Sequence, residues 1–116
     1  MITPGAFDIT CFQGADFDQQ FAVTQGGTAL NWTNYTARMQ VREAADSTAT
    51  LLSLSTGGSG IVLGGTAGTI ALSITNAQSA AVSAGSFAYD LELQAGDGQV
   101  TRLLQGSFNV VGNVTR

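Results

Sequence analysis

The chain has 116 residues and a formal net charge of −4 at pH 7, from four arginines and eight carboxylates, with no lysine and no histidine. That length suits one compact domain whose core needs no disulfide. Only 10% of residues are charged, against about 25% in ordinary globular chains, and the acidic balance excludes nucleic acid as a partner, because phosphate recognition needs a basic footprint.

The N-terminus, Met1-Ile2-Thr3-Pro4-Gly5, has neither a basic segment nor an apolar stretch of signal-peptide length, so no export signal is expected. Beyond it, apolar residues recur at every second position, the period of half-buried strands. Phe7 to Phe12 reads as a first strand, with Cys11 as a small core side chain rather than a reactive thiol. A lone cysteine permits no internal disulfide. Phe17 to Thr24 sets Phe17, Phe21 and Val23 against Asp18, Gln20 and Thr24. Gln25-Gly26-Gly27-Thr28 is a tight reversal, since glycine supplies the positive φ that such turns need. Residues 31–36, with Trp32 and Tyr35, are expected to cap one end of the fold. Thr36 to Glu43 alternates most cleanly, with Ala37, Met39 and Val41 inward and Arg38, Gln40 and Arg42 outward.

Residues 44–48 form a surface turn, and Thr50 to Ser55 is the next strand, with Leu52 and Leu54 on one side. A flexible connection, Gly57-Gly58-Ser59-Gly60, leads to a short strand from Ile61 to Leu63. Gly64-Gly65-Thr66 with Gly68 makes the next reversal, and Thr69 to Ile74 carries Ile70, Leu72 and Ile74 on one face. Between Thr75 and Ala84 the alternation stops. Thr75 or Asn76 can cap a helix there, residues 77–82 favour one, and Gly85 fits the position just past its end. Phe87 to Gln94 resumes, with Phe87, Tyr89, Leu91 and Leu93 inward and Ala88, Asp90 and Glu92 outward. Gly96-Asp97-Gly98 is a hairpin turn. Val100 to Gln105 returns, Gly106 breaks the strand or opens a bulge, and Ser107 to Val111 is the last strand.

The expected fold is all-β: an antiparallel, immunoglobulin-like β-sandwich of about eight short strands with one short helix near residues 76–83, formed by residues 1–116 as a single domain. A small closed barrel has the same strand spacing and is the alternative.

Chemistry is poorly supplied. Without histidine there is no Ser-His-Asp or Cys-His arrangement, and without lysine no Schiff base. One cysteine and no imidazole leave no zinc or copper site, so neither catalytic nor metal residues are assigned and no cofactor is expected. Asp16 with Asp18, and Asp90 with Glu92, are carboxylates two apart on one strand face. They read as solvated surface, with Arg42 or Arg102 able to pair with Asp90 or Glu92 across strands. The glycine clusters lack the Gly-Lys-Ser/Thr end of a phosphate loop and read as turns. Trp32 with Tyr35 offers a possible sugar-stacking pair, against the plainer reading of aromatics plugging the core.

Several runs in the second half form a distinctive succession: Gly68 to Ile74, then Gln78 to Val82, then Gly85-Ser86-Phe87-Ala88-Tyr89-Asp90-Leu91-Glu92-Leu93. Gly98-Gln99-Val100-Thr101-Arg102-Leu103-Leu104-Gln105-Gly106 and the terminal Val114-Thr115-Arg116 complete it. With Asp16-Phe17 and the segment from Trp32 to Arg42, this resembles small structural proteins of tailed bacteriophages. It is similar in particular to the immunoglobulin-like N-terminal domain of baseplate upper proteins, which anchor receptor-binding fibres. The resemblance implies a non-enzymatic virion protein, assembled in the host bacterial cytoplasm, that acts as a tail or baseplate component docking fibres or neighbouring tail chains. Its implied partners are other virion proteins, in an oligomeric arrangement, with no nucleic acid and no membrane. A capsid decoration (cement) protein contacting the capsid protein is the alternative, and a carbohydrate-binding module using Trp32 and Tyr35 a further one. The sequence read here ends at Arg116, so a fibre is expected to be a separate chain held non-covalently. If docking uses strand edges and termini, the expected contact residues are Gly57, Gly58, Ser59, Gly60, Thr66, Val114, Thr115 and Arg116.

Overall fold

A computed structural model of the chain describes residues 5–25, 27–112 and 114. Its strands are β1 (Gly5–Ala6), β2 (Ile9–Phe12), β3 (Phe17–Ala22), β4 (Thr24–Gln25), β5 (Thr28–Ala29), β6 (Thr36–Arg42), β7 (Leu52–Ser55), β8 (Ile61–Leu63), β9 (Thr69–Ile74), β10 (Gly85–Gln94) and β11 (Val100–Val111), with one helix, α1 (Asn76–Ala80). Eight of these strands are three residues or longer, in line with the alternation in the sequence.

Two sheets carry the fold. In the larger, β1 and β2 share one flank of β11, followed by β10, β6 and β7, while the smaller has the order β3-β9-β8. The hydrophobic side of each sheet can be hidden only against the other. Met39, Val41, Leu54, Leu91 and Leu93 from the first therefore join Ile61, Ile70, Leu72 and Ile74 from the second in one buried cluster. Taking β3, β9 and β8 as B, E and D, and β6, β7, β10 and β11 as C, C′, F and G, the order is that of an immunoglobulin-like sandwich.

Three details differ from the sequence reading. First, the sandwich is antiparallel except at its N-terminal flank, where β1 and β2 run parallel to β11, with Gly5 opposite Leu104 and Ile9 opposite Phe108. No hairpin links these segments, so nothing local fixes their relative direction. Second, α1 stops at Ala80 rather than near residue 83, and Gly85 opens β10 instead of closing the helix. The start is as expected: Thr75 is the N-cap and forms a reciprocal capping box with Gln78. Third, β11 runs unbroken through Gly106. The irregularity lies instead where Leu91 pairs Leu104 but Glu92 pairs Arg102, which leaves Leu103 as the extra residue of a bulge. Gly106 has another task. A Cβ there would run into the Phe7 carbonyl oxygen, and the missing side chain lets the N-terminal segment cross β11 at close range.

Candidate functional site

The outward face of the larger sheet gathers most of the polar chemistry, and the period of two explains how. Residues inward on β6 and β10 fill the core, so their neighbours in sequence line the opposite surface. The register then arranges them in rows across the sheet. Arg102, Glu92, Arg38 and Ser55 form one row, Gln105, Asp90, Gln40 and Ser53 the next, and Ser107, Ala88 and Arg42 a third. The bulge at Leu103 is essential to this pattern. Arg102 and Gln105 are an odd number of positions apart and would face opposite ways on a regular strand. With one extra residue between them both point outward, and Arg102 Nη1 donates to Gln105 Oε1 at 3.4 Å.

Two ion pairs tie the face together: Arg38 Nε to Glu92 Oε1 at 2.9 Å within one row, and Arg102 Nε to Asp90 Oδ2 at 3.4 Å across to the next. Both are solvent-exposed and worth at most about 1 kcal/mol each. Arg42 behaves differently. Its guanidinium donates to the carbonyls of Ser47 and Thr48 and to Gln40 Oε1, all neutral acceptors, so its charge tethers the β6–β7 loop without meeting a carboxylate. The expected pairing of Arg102 is thus realised with Asp90, that of Arg42 is not, and Arg38 takes a role the sequence did not single out.

Between Arg42 and the Arg102–Gln105 pair lies a shallow depression of about 500 Å³, lined also by Ala6, Ala88 and Gly106. A smaller one of about 290 Å³ adjoins it over Arg38, Gln40, Asp90 and Glu92. All three arginines among the described residues sit in these rows with two carboxylates. The other six carboxylates lie elsewhere, in loops or on β3. The rows thus mix three guanidiniums with two carboxylates, and Asp90 and Glu92 line the larger and the smaller depression alike.

The residues expected to make contacts do not converge. Gly57, Gly58 and Ser59 are exposed in the β7–β8 connection, on the flank where the chain passes from one sheet to the other. Gly60 is structural: at φ +100° it packs on Leu54 and beside the Ser73 carbonyl, where a side chain has no room. Thr66 is exposed in a 3-10 turn (Gly65–Ala67) at the end of the sandwich closed by Trp32, whose amide donates to the Gly65 carbonyl. Val114 is 92% exposed at the opposite end, beyond β11. Thr115 and Arg116 lie outside the described residues.

Other candidates resolve into packing. Trp32 is only 4% exposed and meets Tyr35 edge-on at 5.2 Å, so its ring is part of the core and offers no platform for a sugar. Asp16 accepts the backbone N–H of Asn76 at 2.7 Å, holding the first turn of α1, while Asp18 stands alone on β3. Burial pushes the Cys11 thiol above its ordinary range, away from reactivity. Among the described residues no group of three His, Cys, Asp or Glu side chains is placed to hold a metal, and no helix is long and apolar enough to cross a membrane. No protein-family model matches the chain, and no curated protein matches it in sequence.

Proposed function

We propose that this chain is a non-enzymatic structural protein of a bacteriophage particle, a tail or baseplate component that docks fibres or neighbouring chains, and that it works in the virion after assembly in the host cytoplasm. The virion setting rests on the sequence resemblance. The docking role rests on one feature of the surface. At the free flank of the larger sheet, Phe12 is 60% exposed and pairs in register with Val111, itself 44% exposed, with Val114 a few residues beyond. Natural sheets usually blunt such a flank with lysine or cover it. This chain has no lysine, and an apolar strand end left open in that way suits burial by a partner through strand addition or terminal contacts.

The test is copy number per purified particle, by quantitative mass spectrometry against the major capsid protein. A few to a few dozen copies, in step with tail symmetry, is the expected result. Hundreds, in proportion to capsomers, would establish a decoration protein instead, and none would overturn the virion reading.

A further inference from the structure

We propose that residues 5–12 form a strap that opens as one piece from an otherwise intact sandwich, and that the flank of β11 it vacates takes an incoming strand of the strap's own pattern. The opening is a property of the free chain alone. That the incoming strand belongs to a neighbouring chain rests on the docking role proposed above.

Within the described ladders, β1 and β2 pair with β11 and with no other strand, whereas β11, β10 and β6 each have a strand on both sides. Taking the strap away leaves β11-β10-β6-β7 over β3-β9-β8, still two layers around one core. The strap's share of that core is small. Ile9 and Cys11 are buried, while Ala6, Phe7, Asp8, Thr10 and Phe12 are exposed. An edge element that hides little apolar surface opens at lower free energy than the whole molecule. The chain from Gln13 onward stays fixed, because Gln13 donates to the Val111 and Val82 carbonyls and Ser79 on α1 accepts the Gly14 amide. The pivot therefore lies between Phe12 and Gln13.

The seat is specific. Along it, the Phe7 carbonyl accepts the Tyr89 hydroxyl, the Asp8 carboxylate accepts the Ser107 amide at 3.1 Å, and the Ile9 carbonyl accepts Asn109 Nδ2 at 3.4 Å. The Phe7 ring rests edge-on against Phe21 of the smaller sheet at 5.1 Å. Opening frees backbone N–H and C=O groups along residues 104–111 and uncovers Phe108 and Val110, which stand opposite Ile9 and Cys11. A row of that kind is what strand addition uses. The segment that fits it is extended, carries a carboxylate where Asp8 sits, and turns a branched apolar residue and then a small one inward at alternate positions.

Cys11 is the only thiol of the chain and, at 1% exposure on the strap, reports its opening. The test treats native full-length protein with a thiol reagent beside hydrogen exchange at the β10 amides. Labelling is expected to outpace global unfolding and to change little with urea below the unfolding transition, since a small opening exposes little surface. Ile9→Ala weakens the strap and leaves the seat. It is expected to speed labelling at least about 10-fold with β10 exchange unchanged. A fluorescent peptide of residues 5–14 is then expected to bind the variant, by anisotropy, at concentrations where the wild-type chain, its seat filled, ignores it. The same peptide carrying Ile9→Ala is expected not to bind. Asp8→Ala, exposed and on the strap alone, serves should Ile9→Ala fold poorly. Labelling that rises with urea as steeply as global unfolding, or that the variants speed only in step with β10 exchange, overturns the strap. Failure of the peptide to bind a variant whose strap opens overturns the incoming strand. Neither result depends on copy number per particle, so failure here is separate from failure of the virion reading.

Discussion

Tyr89 shows at the scale of one residue how the N-terminal segment is held. Its hydroxyl donates to the Phe7 carbonyl across the gap left by Gly106, while the Asp8 carboxylate accepts the Ser107 amide. Burial, with a smaller push from Asp8, raises the Tyr89 pKa from 10.0 to about 12. An unfolded chain gives up that proton near pH 10, but the folded one holds it until about 12. The contribution to stability is therefore whole below pH 10 and drains as pH rises toward 12, on the order of 2 kcal/mol in total. Cys11, raised by burial from 9.0, acts in the same direction. In a chain without lysine few other groups titrate there. Urea unfolding followed from neutral to strongly alkaline pH is expected to show this slope, and Tyr89→Phe to flatten it while costing about 1 kcal/mol at neutral pH. Trp32 gives a second case. Its indole N–H is buried with no acceptor among the described residues, a cost that phenylalanine avoids. Trp32→Ala is expected to cost about 3–5 kcal/mol through the cavity it leaves. Trp32→Phe is expected to cost markedly less in the same denaturation measurement, because losing the unpaired donor offsets part of the lost packing.

At the scale of elements, α1 is too short to be stable alone and survives by attachment. Ser79, buried, accepts the Gly14 amide at 3.0 Å and donates toward the Ala15 carbonyl at 2.8 Å. Gln13 reaches the Val82 carbonyl from the same turn, and Asp16 holds the helix start. The β2–β3 turn and α1 therefore stand or fall together. Ser79→Ala is expected to cost about 1–3 kcal/mol, with hydrogen exchange at Gly14 accelerating while β10 and β11 keep their protection. The cap of this helix was legible in Thr75 and Gln78 because capping is a local exchange of hydrogen bonds. Its end was not legible, because packing against the β2–β3 turn determines where the chain leaves the helix. The bulge at Leu103 was hidden for the same reason. Leu103 and Leu104 are both apolar, and only pairing with β10 shows which of them is the extra residue.

For the whole molecule, the open flank at Phe12 and Val111 is the feature on which the proposed docking rests. Phe12→Lys, which blunts the flank, is expected to leave the thermal unfolding midpoint nearly unchanged, since that side chain is already mostly in water. It should also sharply reduce incorporation of the chain into particles, read as copies per particle. Undiminished incorporation would move the docking surface elsewhere. The sequence by itself determined which residues are inside: alternation along Thr36–Arg42, Thr69–Ile74 and Gly85–Gln94 is a local property, since successive side chains on a strand must point to opposite faces. It also determined the turns at Gly27 and at Asp97-Gly98, where backbone conformation depends on the residues themselves. Tertiary structure alone decided the rows. Arg38 lies 54 residues from Glu92 and becomes its neighbour only through strand order and register, which arise from packing two sheets over one core. The parallel entry of β1 and β2 was decided in the same way, by contacts between segments nearly 100 residues apart, and the outward turn of Gln105 by the register of β11 on β10.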